Sequence, residues 1–172
     1  MRVAKPEGKI LFKEEQQFRQ WWIWLIIIGL FVLILAGTFV GLNSGERRNP
    51  KYERLIFVLS LLAPLVNLVV FYIMRLETVI TDEGIYYRWA PFRKTYKAIR
   101  WTELHRIRVK ERRYKGVGDN YQIGYGYTHQ VAGPYGVEME ITGTRVWLGT
   151  QRLEAFLYAL EKAGVPIVQM NK

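Results

Sequence analysis

The sequence predicts a two-helix transmembrane hairpin followed by a mainly-β domain of about seven strands, closed by a C-terminal helix. Three observations predict it. Residues 21–42 and 55–74 are long apolar runs without a charged side chain. From residue 76 onward the chain breaks into short β-branched and aromatic runs separated by turn residues. Near the C-terminus, Leu153, Phe156, Leu157 and Leu160 recur at helical spacing. Half of the 172 residues are hydrophobic, yet mean hydropathy is −0.03. Apolar residues are therefore segregated along the chain.

Residues 1–20 are polar and mixed in charge, and Ile10, Leu11 and Phe18 suit one side of a short helix lying at a membrane interface. The stretch 21–42, WWIWLIIIGLFVLILAGTFVGL, has Arg19 and Glu46 as its nearest charges. At about 1.5 Å of rise per residue it crosses the roughly 30 Å hydrocarbon layer of a bilayer. Trp21, Trp22 and Trp24 crowd one end, where amphipathic rings favour the headgroup zone. The run is too long for a signal peptide, and apolar residues continue past Ala36-Gly37-Thr38. Residues 43–54 form a charged turn broken by Asn43, Gly45, Asn49 and Pro50. The second span, 55–74, contains Pro64 and Asn67, read as a kink whose Asn bonds to the first span. Gly37 and Gly41 match a small-xxx-small helix-packing pattern.

A hairpin of spans leaves both termini on one side of the membrane. The formal charge is +10. Arg2, Lys5, Lys9, Lys13 and Arg19 precede the hairpin, and Arg75, Arg88, Arg93, Lys94 and Lys97 follow it. The turn holds Arg47, Arg48, Lys51 and Arg54. The excess predicts cytoplasmic termini and residence in the inner (plasma) membrane.

The β domain is expected over residues 75–165. LETVIT and IYYRW pair across the turn Asp82-Glu83-Gly84, and RKTYKAI (93–99) supplies a third strand. Trp101-Thr102-Glu103 is a turn or short helical step. LHRIRVKERRY (104–114) alternates as a long fourth strand, and the glycine-rich 121–131 is a loosely specified one. VEMEIT and RVWL pair across Gly143-Thr144. The last helix spans 150–163, with Thr150 as its N-cap and Gly164 and Pro166 as its stop. A short tail, 166–172, follows.

Two spans followed by LETVITDEGIYYRWAPF, IRWTELHRI, GVEMEI and VWLGTQRLEAFLYAL resemble the bacterial membrane-anchored pleckstrin-homology-like (PH-like) domain proteins. The shared features are the turn Thr81, Asp82, Glu83, Gly84, the step Trp101 and Glu103, and the helix entry Gly149, Thr150, Gln151. The resemblance implies a bent sandwich of seven strands capped by the C-terminal helix. It implies no reaction, since such domains bind phosphoinositides, proteins or no known ligand.

Chemistry-bearing patterns are few. The chain has no cysteine, which excludes disulfides, thiolate chemistry and Cys-based metal sites. His105 and His129 lack metal-ligand spacing. The glycines of 116–126 lack Walker spacing and the Lys-Ser/Thr that follows it. No Ser, His and Asp gather, so no enzyme activity, cofactor or metal is expected, and no motif points to nucleic acid. The strongest pattern is Arg106, Arg108, Lys110 and Arg112, which alternate and so share one strand face about 7 Å apart. That row predicts contact with anionic lipid headgroups or an acidic protein partner. The expected function is a non-enzymatic, membrane-anchored binding or scaffolding module. The alternative is an accessory subunit whose spans pack on other membrane proteins.

Overall fold

The structure, a computed structural model, describes residues 1–44, 50–111, 118–122, 126–133 and 135–166. The chain divides into two compact units, one of Met1–Gln17 with Met74–Lys172 and one of Phe18–Ile73.

The second unit is a pair of helices, α1 (Trp21–Asn43) and α2 (Pro50–Ile73), both long and apolar enough to cross a bilayer. Their side chains are exposed nearly all round. At the Trp21 end, Phe18 packs edge-on against Phe71 at 5.7 Å, and Trp24 against Tyr72 at 6.4 Å. Trp24 Nε1 donates to the carbonyl of Phe18 at 2.9 Å. One sequence expectation fails here. Asn67 Nδ2 donates to Ala63 O of its own helix at 2.9 Å instead of reaching the first span. This satisfies an amide in an apolar setting without needing a neighbour. A Cβ built on Gly37 or Gly41 would meet nothing within 4 Å among the described residues, so neither glycine packs closely on α2.

The first unit holds ten strands among the described residues, the first only two residues long. In chain order they are β1 (Arg2–Val3), β2 (Ile10–Gln17), β3 (Arg75–Thr81), β4 (Gly84–Ala90), β5 (Tyr96–Arg100), β6 (Leu104–Glu111), β7 (Gly118–Gln122), β8 (Gly126–Gln130), β9 (Tyr135–Ile141) and β10 (Thr144–Thr150). They form two five-stranded sheets, ordered β1-β5-β4-β3-β2 and β6-β9-β10-β8-β7. The C-terminal helix α3 (Leu153–Lys162) packs on β2 and β3.

The main departure from expectation is the N-terminus. Residues 10–17 are not an interfacial helix; they are a strand antiparallel to β3, from Phe12 opposite Ile80 to Gln17 opposite Arg75. The β domain therefore begins before the helices, which are inserted between two neighbouring strands of one sheet. Alternation explains the choice of strand: Phe12, Glu14 and Gln16 are buried, while Lys13 and Glu15 are exposed. Both buried polar side chains find partners, although Gln16 Oε1 has none. Glu14 accepts from Thr150 Oγ1 at 2.8 Å and from the Gln151 amide at 2.9 Å, and Gln16 Nε2 donates to Gly149 O at 2.7 Å. These bonds tie β2 to the end of β10 in the other sheet.

Elsewhere the pattern holds with shifted boundaries. The third strand starts at Tyr96 because residues 91–95 turn, the Arg93 amide donating to Trp89 O at 2.8 Å. Trp101–Glu103 is one turn of 3₁₀ helix. The single strand expected over 121–131 is instead the hairpin β7–β8, with Gln122 opposite Gly126. Gly126 has φ +80°, and a side chain there would run into the backbone carbonyl of Arg145. The pair β9–β10 is the hairpin expected across Gly143.

The helix also starts later than expected. Thr150 is not its N-cap: the residue continues β10, paired with Tyr135. Arg152 occupies the cap position, and its amide donates to Thr150 Oγ1 at 3.1 Å. Phe156 and Leu160 are fully buried, and the Phe156 ring meets Phe12 edge-on at 5.5 Å. Each such side chain contributes about 2 kcal/mol on burial. The helix stops as expected at Gly164, with φ +75°. There Val165 N donates to Leu160 O and Gly164 N to Glu161 O, which satisfies the last carbonyls.

Candidate functional site

Two arrangements of charged side chains stand out, one on each sheet. The first contains the basic row. Ile107 and Val109 are buried, so the alternating Arg106 and Arg108 face outward from β6. Arg106 is exposed and Arg108 half-buried. Lys110 lies further along the same strand, opposite Gly136. Arg112 falls outside the described residues.

Strand pairing adds what spacing alone leaves out. Arg106 stands opposite Glu140 and Arg108 opposite Glu138 on β9. On the far side of β9, Arg145 of β10 faces Glu140, with its Nη2 4.0 Å from the carboxylate, and Trp147 faces Glu138. The outer face of this sheet is thus a ladder of alternating sign, and each acid lies between cationic or aromatic neighbours. Gly136 completes the surface. A Cβ there would sit 2.5 Å from Cε2 and Cζ2 of Trp147, so glycine lets the indole lie flat against β9.

The second arrangement is one that sequence reasoning missed. Glu77 on β3 is 2% exposed. It accepts from Arg75 Nε at 2.9 Å, from Arg88 Nε at 2.6 Å and from Tyr96 Oη at 2.8 Å. The Arg88 guanidinium also lies 4.3 Å from the centre of the Tyr96 ring. Burial pushes the Glu77 carboxyl upward, but bonds from Arg88, Tyr96 and Arg75 outweigh it and hold the group below the usual range. Burial, and then the bond to Glu77, push the Tyr96 hydroxyl up to about 12. The bond to Glu77 raises Arg88 further above its already high value. A carboxylate so fully engaged is held ionised and is a poor proton acceptor. Its role is to staple β3, β4 and β5 together. A signal for it existed in the sequence: a hairpin centred on Asp82-Glu83 places Glu77 opposite Arg88, and the structure pairs them so.

The histidines lie on different strands. His129 is buried on β8, its Nδ1 accepting from Trp89 Nε1 at 3.3 Å and its ring 4.6 Å from that of Tyr87. His105 is exposed on β6, 3.0 Å from Thr142 Oγ1. Among the described residues no three His, Asp or Glu side chains form a metal-holding group. No family model, curated protein or solved structure matches the chain.

Proposed function

We propose that this protein is a membrane-anchored, non-catalytic binding module whose β domain is held at one bilayer face by a pair of spans. The observation carrying this reading is the insertion of α1 and α2 between the paired strands β2 and β3. Two spans leaving and re-entering one sheet keep that sheet on a single side, and the flanking Lys and Arg favour the cytoplasm. Two sheets and a C-terminal helix are in keeping with a PH-like ancestry. The extra strands ahead of the spans, and the parallel pairing of β8 with β10, depart from its seven-stranded plan.

The outer face of the β6–β9–β10 ladder is the partner surface in this reading. A uniformly anionic membrane would meet Glu140 along with the arginines, Glu138 being buried beneath its neighbours, so an exposed acid within the row suits a protein partner better. Acidic side chains of such a partner would engage Arg106, Arg108, Lys110 and Arg112. Charge complementarity of this kind sets specificity and association rate more than raw affinity. The test is affinity purification of the full-length chain from native membranes in mild detergent. A stoichiometric protein partner should co-purify, and the double variant Arg106→Glu, Arg108→Glu should lose it while retaining its own fold. Recovery of no partner, or of the same partner with the charge-reversed chain, overturns the reading.

A further inference from the structure

We infer that the β4–β5 turn, residues 91–94, is a lipid-contacting finger. Phe92 sits in the headgroup zone of the bilayer, and Arg93 and Lys94 meet the phosphates of anionic lipids. The inference rests on the spans crossing a bilayer, as proposed above.

Strand direction carries the argument. Gln17, Arg75 and Ala90 form the end rung of β2, β3 and β4. The chain leaves this rung for α1 after only residues 18–20, and returns from α2 through Met74 alone. Strand β4 is antiparallel to β3. It therefore leaves the sheet at Ala90 heading back the way β3 arrived, toward the end where the chain joins its spans. Phe92 lies two residues beyond the rung on β4, and Met74, where the chain returns from the helices, adjoins the same rung on β3. Neighbouring strands are about 4.8 Å apart, so the two exits are close together.

The turn is built to hold its shape. The Arg93 amide donates to Trp89 O at 2.8 Å, and Arg88 Nη1 donates to Lys94 O at 3.2 Å. The same Arg88 is fixed from behind by Glu77. At the tip, Phe92 is 55% exposed. One exposed ring is ordinary on a protein surface; what sets Phe92 apart is its place on a turn beside Arg93 and Lys94, at the end of the sheet where the chain joins its helices. At a membrane interface the ring gains contact with lipid, and adjacent basic residues gain attraction to anionic headgroups. At the opposite end of β4, the exposed residues Asp82 and Glu83 of the β3–β4 turn are acidic. The strand is thus polarised, its cationic, aromatic end lying at the rung where the chain joins its helices.

The native chain lacks cysteine, so single thiols can be placed cleanly. The full-length chain carrying Phe92→Cys, labelled with an environment-sensitive fluorophore, is reconstituted in phosphatidylcholine vesicles with and without phosphatidylglycerol. Glu83→Cys and Leu33→Cys serve as companions. The label at 92 should show blue-shifted emission and quenching by shallow spin-labelled lipid, more strongly with phosphatidylglycerol. Adding Arg93→Glu and Lys94→Glu should abolish that extra shift. The label at 83 should behave as in water, and the label at 33 should be quenched by deep spin-labelled lipid. If position 92 matches position 83 while position 33 is deeply quenched, the finger is refuted and the anchor stands. A label at 33 in an aqueous environment overturns both. Equal shifts at 92 in the two vesicle types overturn the anionic-lipid assignment.

Discussion

Glu77→Gln should destabilise the β domain by about 3 kcal/mol, the scale expected when one partner of a buried ion pair is removed. The amide keeps the shape of the side chain but leaves Arg88 and Arg75 without the carboxylate that engages both. Tyr96→Phe removes only one of the three donors and should cost about 1.5 kcal/mol, near the lower limit for a hydrogen bond to a charged group. Chemical denaturation of the detergent-solubilised chain, followed by tryptophan emission, measures both. The pH dependence follows from the same cluster. The folded Glu77 pKa lies below its unfolded value, which is about 4.3 for a free glutamate. Its contribution is present above that unfolded value and is lost as pH falls through the lower, folded one. Tyr96 shifts the other way, to about 12. Its contribution is complete below the unfolded value near 10 and is lost as pH rises through the folded one. Glu77→Gln should flatten the acid arm and bring the alkaline arm to lower pH. An unchanged profile on both sides would mean that the cluster contributes nothing to folding.

Excising the helices should leave a folded, water-soluble β domain, whereas removing the N-terminal strand as well should abolish cooperative folding. Gln17 and Arg75 are paired neighbours, so a two-residue Asn-Gly loop can replace residues 18–74 and close β2 onto β3 as an ordinary hairpin. The shortened chain should dissolve without detergent and unfold in one transition. A chain beginning at residue 74 lacks β2. It loses the ladder along β3, the Phe12–Phe156 contact and the bonds from Glu14 and Gln16 to β10 and its helix junction. Deleting the Phe12 side chain alone should cost about 3 kcal/mol. That is a large share of the roughly 5–15 kcal/mol by which domains are stable. Circular dichroism and thermal melts distinguish the two chains. If the chain starting at residue 74 melts as cooperatively as the one retaining residues 1–17, β2 is an ornament to the fold.

The helices, most of the strands and the final helix are legible in the sequence because their signals are local. Residues 21–42 need no partner to be recognised, and Ile107 and Val109 alternate with arginines whatever lies beside them. The strand β2 hides for a physical reason. Two of its three buried positions, Glu14 and Gln16, are polar, so the apolar alternation that marks a strand is absent. Their partners, Thr150, Gln151 and Gly149, lie more than 130 residues away. The short charged stretch beside a long apolar run then looks like an interfacial helix. The candidate surface is half legible in the same sense. Spacing places Arg106 and Arg108 on one face, and Glu138 and Glu140 on another strand face. Only the pairing of β6 with β9 sets acid against base and turns a cationic stripe into a mixed ladder.

One β domain is assembled from chain on both sides of the helical pair. Its most direct test is solution NMR of the full-length protein in micelles or nanodiscs, reading the backbone shifts of residues 10–17 and their cross-strand contacts. Extended shifts, with nuclear Overhauser effects linking Lys13 to Val79 and Glu15 to Glu77, are the predicted result. Helical shifts over residues 10–17, with no contact to residues 75–81, would contradict it.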